Sequence, residues 1–273
     1  MDNERLDNLY DKNEADKWAE AKTMEHASGI WGRDPMLAYL KNEVIKEGDV
    51  VVDLGAGAGY PTMRVAQMVG ETGKVFGVEK SWSMLGLDDG GERSVDVKYQ
   101  KEFPNLYFYP GDATETGIGP NFADKIVSFM VLHNLPIELV QGVFKETERI
   151  LKQDGLGVFL TMSPKAHESD WDVDFMGYEA GDLQKLKEAD DKEGIKIKGF
   201  VKNSGGGTKQ IGMFHHTEEN LQKAILDAGL EIVSEKEIFV DEKTAKERFG
   251  EDSVRKMPQT PIFVIITVRK PAK

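Results

Sequence analysis

The sequence contains no cysteine. This absence excludes disulfide bonds, thiolate zinc sites, iron–sulfur clusters and cysteine nucleophiles. Any catalytic chemistry must therefore come from histidines, carboxylates, hydroxyl groups or a bound cofactor. No metal site is expected either, because the acidic run from Glu168 to Asp174 lacks the pattern of a calcium loop and is predicted to be a solvated surface loop.

Long apolar runs are also missing, and no stretch approaches the roughly 18 residues that a membrane-spanning helix needs. The first residues, Met1 to Lys17, are rich in charge, so no secretory signal peptide is predicted. We therefore expect a cytoplasmic protein without a membrane partner.

Basic residues are outnumbered, with 35 Lys and Arg against 48 Asp and Glu, a formal net charge of −13 and a pI near 5.0. Such a surface repels phosphate backbones, and the sequence has no dense Lys/Arg tract that would form a local basic groove. Binding to nucleic acid is therefore not expected.

The sequence does contain enough apolar material for a core, with 40% hydrophobic residues among 273. No internal repeat or low-complexity linker marks a boundary, so we predict a single domain over residues 1–273. Within it, we predict a helical N-terminal lid over residues 1–34 and an insertion on the substrate side over residues 163–212. The oligomeric state is left open, and a homodimer is one of the options.

Short apolar runs alternate with helical patterns along most of the chain. This alternation predicts an α/β fold with a doubly wound, mostly parallel sheet. The predicted strands are Val50–Leu54, Lys74–Glu79, Leu106–Pro110, Lys125–Met130, Gly155–Met162, Glu231–Val240 and Ile262–Arg269. The clearest predicted helices begin at Pro61, at Pro136 and after the expected N-cap Thr217.

Three segments depart from this alternation. Residues 88–91 (DDGG) predict a break after the second strand, and the polar stretch Asp241–Pro261 is read as a connection. Within the insertion we predict a helix near Tyr178–Ala189 and an irregular β-hairpin around the glycines at 205–207, although a mobile loop fits the same composition.

A glycine turn follows the first strand, with Gly55, Gly57 and Gly59 at alternate positions. Such a turn lets a ligand approach the backbone closely, but a tight strand-to-helix turn without a ligand has the same pattern. Acidic residues at the carboxyl ends of three predicted strands favour a ligand. They are Asp53, Glu79, which lies 20 residues after Gly59, and Asp112.

Together these segments resemble the class I S-adenosylmethionine-dependent methyltransferases. The matching segments are Val50–Gly59 (VVVDLGAGAG), Glu79, Gly111–Ala113, Asp124–Leu135 and Leu151–Leu160. The resemblance covers roughly Pro35–Met162 and Thr217–Lys270. A dinucleotide site is the rival interpretation, but Tyr60 stands where its last glycine would lie, and Asp53 would repel a pyrophosphate.

The resemblance implies a seven-stranded sheet whose last strand is antiparallel, with S-adenosylmethionine bound over the glycine turn. The cofactor-binding residues that it implies are Asp53, Gly55, Ala56, Gly57, Gly59, Glu79, Lys80, Trp82, Gly111, Asp112, Ala113 and Met130. Trp82 would pack against the adenine ring, with ordinary core packing as the alternative. Tyr10 and Trp31 would cover the cofactor or substrate, although simple packing of the N-terminal segment explains them as well.

Methyl transfer is an in-line displacement that needs a positioned nucleophile and, for some acceptors, a base. His133 is the leading candidate for that base, and a structural histidine is the alternative. His215 and His216 are weaker candidates, because solvent-facing or capping roles fit them better.

Because the insertion can close a pocket, we expect a methyltransferase that acts on a small-molecule acceptor. A protein methyltransferase and a non-catalytic protein that binds S-adenosylmethionine are the alternatives.

Overall fold

Seven apolar strands pair into one sheet in a computed structural model that describes residues 27–81, 83–85, 102–168, 172–202 and 208–272. In chain order the described strands are β1 Val50–Leu54, β2 Lys74–Glu79, β3 Leu106–Pro110, β4 Ala123–Phe129, β5 Leu151–Met162, β6 Asp172–Val173, β7 Met176–Tyr178, β8 Lys196–Lys202, β9 Thr208–Phe214, β10 Glu231–Ile238, β11 Val254–Lys256 and β12 Phe263–Arg269. The main sheet has the order β10-β12-β5-β4-β1-β2-β3.

Only β12 runs against the other six strands of this sheet, because it pairs antiparallel with both β10 and β5 while the remaining pairs are parallel. The predicted fold class is therefore confirmed, including the antiparallel last strand. The described helices are α1 Asp34–Tyr39, α2 Tyr60–Val69, α3 Ile137–Ile150, α4 Ala180–Glu188, α5 Glu218–Asp227 and α6 Glu242–Phe249. Single π-helical turns, Gly29–Arg33 and Leu40–Val44, flank α1 on either side.

The core lies in two layers, one on each face of the main sheet. Successive residues of β1 point to opposite faces, so Val51 joins the layer that contains Val65 of α2, whereas Val52 joins the layer beneath α3 with Phe144. Both faces of the central strands are therefore buried. This burial explains why those strands appear in the sequence as continuous apolar runs.

The predicted insertion forms a second, three-stranded antiparallel sheet of β7, β8 and β9. The predicted hairpin is confirmed by the β8–β9 pairing, which runs in unbroken register from Lys196 opposite Phe214 to Lys202 opposite Thr208. The glycines at 205–207 and the predicted break at 88–91 lie outside the described residues.

Two expectations about the loops are wrong. The stretch Asp241–Pro261 contains α6, which begins where the Asp241 side chain accepts a hydrogen bond from the Thr244 N–H at 2.7 Å. The acidic run is exposed as predicted but is not entirely a loop, because Asp172 lies in β6, and it and Asp174 both pair with Arg255 of β11. These contacts join residues far apart in sequence.

Strand β5 begins at Leu151, four residues earlier than predicted. The polar residues before Gly155 favour a strand that starts at this glycine. Instead, Asp154 adopts a φ of 60° and β5 continues through that residue. Among the described helices, none is long and apolar enough to cross a bilayer.

Candidate functional site

The glycine turn connects β1 to α2 at the carboxyl edge of the sheet. Gly55, Gly57 and Gly59 have φ values of 78°, 56° and 83°, which side chains other than glycine rarely adopt. A Cβ on Gly55 would collide with Cγ2 of Val131, in the loop after β4. Glycine is therefore required here both by conformation and by the close approach of the two loops.

Asp53 lies at the end of β1 with its side chain fully enclosed. Its Oδ2 accepts a hydrogen bond from the Thr62 hydroxyl at 2.7 Å, whereas its buried Oδ1 has no partner among the described residues. Burial, together with the nearby charge of Glu79, raises the pKa of Asp53 to about 7 although the bond from Thr62 opposes this. The unpartnered oxygen is suited to a hydrogen-bond donor supplied by a ligand.

Glu79 ends β2, and its carboxylate closes against the glycine turn. Oε2 accepts the Gly57 N–H and Oε1 accepts the Ser81 N–H, both at 2.8 Å. Burial raises the pKa of Glu79 above its ordinary value, in spite of these backbone hydrogen bonds. The carboxylate is thus held at the rim of the turn, where a ligand's hydroxyl groups could reach it.

Asp112 follows β3 and lies close to Glu79, because Glu79 pairs with Pro110 in the sheet. Its Oδ1 accepts the N–H and hydroxyl of Thr114, and its Oδ2 lies 3.1 Å from the Lys80 ammonium. Burial favours the protonated acid, but these partners outweigh it and lower the pKa of Asp112. Lys80 and Asp112 therefore form a fixed polar pair beside Glu79.

These polar groups form one side of a cavity of about 280 Å³. The rest of the lining is mainly apolar and comes largely from the three-stranded sheet and the loop after β4. Its residues are Phe129, Met130, Val131, Leu135, Leu139, Met162, Met176, Tyr178, Phe200, Val201, Ile211, Met213 and Phe263. The cavity thus combines a polar wall with a larger apolar one, the usual composition of a site for a small organic ligand.

The loop after β4 lies against the glycine turn through Val131 and also contributes to the apolar lining. Met130 adopts a φ of 63°, its N–H bonds to the Leu160 carbonyl, and its own carbonyl accepts the Asn134 side-chain amide at 2.7 Å. Several hydrogen bonds therefore hold a conformation that is unfavourable for a residue with a side chain.

His133 is buried in this loop and lines the cavity. Its Nδ1 lies 3.1 Å from the Thr161 hydroxyl, and Nε2 has no hydrogen-bond partner among the described residues. Burial, followed by the effect of His216, lowers the pKa of His133 to about 3. His133 is therefore neutral near pH 7 and a weak proton acceptor.

His215 and His216 do not line this cavity. His216 joins the insertion to the loop after β4: Nδ1 lies 2.7 Å from Oε1 of Glu193, and Nε2 lies 2.9 Å from the Leu135 carbonyl. The ring of His215 packs against His167 at a centroid distance of 4.7 Å. Both histidines are buried, so the solvent-facing alternative is wrong as well, and their contacts are structural.

Trp31 does not cover the cavity. It is buried between Phe175 and Phe249, with ring centroids 5.0 and 6.0 Å away, and its indole N–H donates to Asp241 at 3.1 Å. The packing alternative fits these contacts, and the predicted lid role does not. Tyr10 and Trp82 lie outside the described residues.

The structure brings most of the predicted cofactor residues together, and their role in binding stays a prediction. The predicted residues that line the cavity are Asp53, Gly55, Ala56, Gly57, Glu79, Lys80, Gly111, Asp112, Ala113, Met130 and His133. Gly59 does not line it and is instead the N-cap residue of α2.

Sequence reasoning missed Ser28, Arg33 and the apolar residues of β7, β8 and β9. The position of Arg33, two residues after Trp31 in the N-terminal segment, was the signal that could have identified it as a site residue. The alternating pattern at 195–198 predicted a strand but could not reveal what its apolar face covers.

Comparison with known proteins gives a family match. The profile of a methyltransferase domain family matches residues 45–199. The chain is similar to the demethylmenaquinone methyltransferase of Lactobacillus johnsonii, with 32% identity over 127 residues, which is 46% of this chain and 49% of that protein. A protein of the same name from Staphylococcus aureus strain JH9 is 31% identical over 124 residues, 45% of this chain and 47% of its own length. The chain thus spans about half the length of the curated relatives it matches.

Solved structures share the fold. An S-adenosylmethionine-dependent methyltransferase from Mesorhizobium loti superposes with a TM-score of 0.54 at 20% identity, covering 87% of this chain and all of that one (100%). Another, from Aquifex aeolicus, superposes with a TM-score of 0.53 at 15% identity, covering 95% and 98%.

Proposed function

The chain belongs to the class I S-adenosylmethionine-dependent methyltransferase family, and we propose that it transfers a methyl group to a small, mainly apolar acceptor. The observation that carries the acceptor class is the apolar wall of the cavity, to which Met176, Phe200 and Met213 contribute. The names of the curated relatives support an acceptor of this kind, since they describe methylation of a quinone.

The residues of the polar wall fit S-adenosylmethionine. The unpartnered Oδ1 of Asp53 would accept the ammonium group, and the Glu79 carboxylate would accept the ribose hydroxyls. The backbone of the turn at Gly55 and Gly57 would pack against the ligand, and Asp112 would receive the adenine amino group. When bound, this cofactor supplies an electrophilic methyl group on a positively charged sulfur.

The protein's own contribution is then to position the acceptor and exclude water. The apolar side chains of the three-stranded sheet bury an apolar acceptor and leave its nucleophilic atom few competing solvent molecules. Holding both reactants in one enclosed space supplies much of the rate, because displacement at a methyl group depends on alignment.

His133 would orient the acceptor through hydrogen bonding more than it would remove a proton. It is neutral near pH 7, and its low pKa makes it a weak base. This favours an acceptor whose proton can pass to water without a strong protein base, either from an acidic hydroxyl before transfer or from an activated ring carbon after the new bond has formed.

Transfer of label tests the proposal directly. The protein is incubated with S-adenosylmethionine carrying a radiolabelled methyl group and with cell extract, which is then separated into solvent-extractable molecules, water-soluble small molecules and polypeptides. We expect label in the solvent-extractable fraction, its loss in Glu79→Gln, and its retention in Glu219→Gln, an exposed glutamate of α5.

Other distributions of label would reject the proposal. Label in polypeptides would indicate a protein methyltransferase, and label transferred only to water-soluble products other than S-adenosylmethionine itself would reject an apolar acceptor. Binding of S-adenosylhomocysteine without any transfer would favour a non-catalytic protein.

A further inference from the structure

Arg33 places a partly buried cation in the cavity, where the sequence suggested none. The residue ends the π-helical turn Gly29–Arg33 and lines the same cavity as Asp53. Its Nη2 donates a long hydrogen bond, 3.3 Å, to the hydroxyl of Ser28. Its Nε is buried and has no partner within the part of the chain that the structure describes. A guanidinium with a buried, unused donor is suited to a ligand with acceptor oxygens.

The surroundings of Arg33 leave its charge poorly compensated. Burial lowers the pKa of Arg33 to about 10, and the neighbouring Asp34 and Tyr60 offset only part of that effect. Asp34 also has a buried oxygen without a described partner, so the two adjacent side chains do not satisfy each other fully. An incoming anion would therefore stabilise the guanidinium.

The position of Arg33 indicates which anion. Tyr60, one of its electrostatic neighbours, is the first residue of α2 and directly follows the glycine turn. Within one cavity, Asp53 thus offers an unused acceptor and Arg33 an unused donor. An α-amino acid group carries an ammonium and a carboxylate on one carbon, and it matches this pair of opposite charges.

We propose that Arg33 binds the carboxylate of the cofactor's methionine portion while Asp53 binds its ammonium group. This assignment rests on the proposed function, and it makes Arg33 a cofactor-binding residue contributed by the N-terminal segment. The guanidinium can meet a carboxylate through two parallel N–H donors, which fixes orientation as well as charge. The segment before β1 would thus hold the cofactor through charge, with no aromatic lid required for this contact.

Three ligands distinguish binding of the carboxylate by Arg33 from a general effect of the substitution on the structure of the site. S-adenosylhomocysteine carries both charged groups, S-adenosyl-3-thiopropylamine lacks only the carboxylate, and 5′-methylthioadenosine lacks both. Their dissociation constants are measured by calorimetry on the full chain and on Arg33→Gln. We expect Arg33→Gln to weaken S-adenosylhomocysteine by about 10- to 100-fold. The other two ligands should change by less than about twofold, because neither has a carboxylate to lose.

Control variants sharpen the test. Arg33→Lys should recover part of the affinity for S-adenosylhomocysteine, since it keeps the charge but loses the planar pair of donors. Arg64→Gln removes a neighbouring arginine of α2 that does not line the cavity, and it should leave all three ligands unchanged. Asp53→Asn should weaken the two ligands that carry an ammonium group and spare 5′-methylthioadenosine.

Equal weakening of all three ligands by Arg33→Gln would overturn the proposal and assign Arg33 a structural role. Unchanged binding of S-adenosylhomocysteine would also overturn it. If the unaltered protein bound none of the ligands, the proposed function would fail together with this inference. Binding by the unaltered protein with no selective effect of Arg33→Gln would reject the inference alone.

Discussion

Asp53 is the residue at which burial and binding act most directly against each other. A carboxylate enclosed with an unpartnered oxygen destabilises the folded protein when charged, so its pKa rises to about 7. The protonated form contributes stability that is fully present below the ordinary pKa of 3.8 and is lost as the pH rises through about 7. A bound ammonium group would reverse this preference, because it favours the charged form.

This competition predicts pH-dependent binding. The affinity for S-adenosylhomocysteine should fall as the pH drops below about 7, approaching a tenfold loss per pH unit, because binding then requires release of the Asp53 proton. Calorimetry between pH 5.5 and 8 measures the effect. In Asp53→Asn, binding should be weaker and much less dependent on pH, and the ligand-free variant should melt at a higher temperature than the parent at pH 8.

Glu79 is the necessary control, since burial raises its pKa too. Glu79→Gln should keep a pH dependence that arises from Asp53, but moved to lower pH, because the charge of Glu79 contributes to the raised pKa of Asp53. If Asp53→Asn retained the full pH dependence of the parent, the unpartnered oxygen would not be the group that receives the ligand.

At the residue scale, local signals identified the polar wall. Glycines at alternate positions after an apolar strand, and acids at strand ends, are features of short sequence windows, and Asp53, Glu79 and Asp112 lie together as expected. The side chains that surround Trp31 could not be predicted from a short sequence window. Its partners Phe175 and Phe249 are far away in sequence, and nothing near Trp31 indicates on which side of the helix they lie.

At the scale of elements, the junction between the three-stranded sheet and the main sheet depends on one carboxylate. Glu193 accepts hydrogen bonds from His216 at 2.7 Å and from the Thr217 N–H at 2.8 Å, the latter at the start of α5. His216 in turn contacts the carbonyls of Leu132 and Leu135 in the loop after β4. Both ring nitrogens of His216 thus face acceptor oxygens, which ties the insertion to the loop after β4.

The pKa of Glu193 is lowered to about 2. Burial alone would raise it, but the hydrogen bonds that the carboxylate accepts outweigh burial. Because the folded-state pKa is depressed, the stabilisation is present above the ordinary value of 4.5 and is lost as the pH falls towards about 2.

Glu193→Gln should therefore lower the free energy of unfolding at pH 7 by about 1–3 kcal/mol, because it removes a buried charge that satisfies several donors. Urea denaturation measures this, and the difference from the parent should shrink as the pH falls below 4.5. The matched variant Glu219→Gln, at an exposed position of α5, should change stability by less than about 0.5 kcal/mol. An equal loss in both variants would contradict a specific role for the junction.

Elements were predicted well where apolar runs were continuous and poorly where contacts were distant. The central strands are buried on both faces, so β1 and β2 have the predicted boundaries. Helix α6 was missed because only Ala245 is fully buried on it, which leaves little apolar periodicity. Its N-cap, Asp241, was the available signal.

At the scale of the whole molecule, the site is a space between two sheets. The carboxyl edge of the main sheet supplies the polar wall, and the three-stranded sheet supplies much of the apolar wall. The sequence predicted the first wall through a family resemblance, but the second depends on how β7, β8 and β9 pack over the first. Three of the acids that contribute to the net charge of −13 line the polar wall of the cavity: Asp53, Glu79 and Asp112.

The most direct measurement of the central claim is a crystal structure with S-adenosylhomocysteine bound. We predict that the ribose hydroxyls bind Glu79, that the ammonium group binds Asp53, and that the sulfur faces the apolar wall near Met176, Phe200 and Met213. A ligand bound outside this cavity, or one whose sulfur faces solvent away from those side chains, would contradict the account.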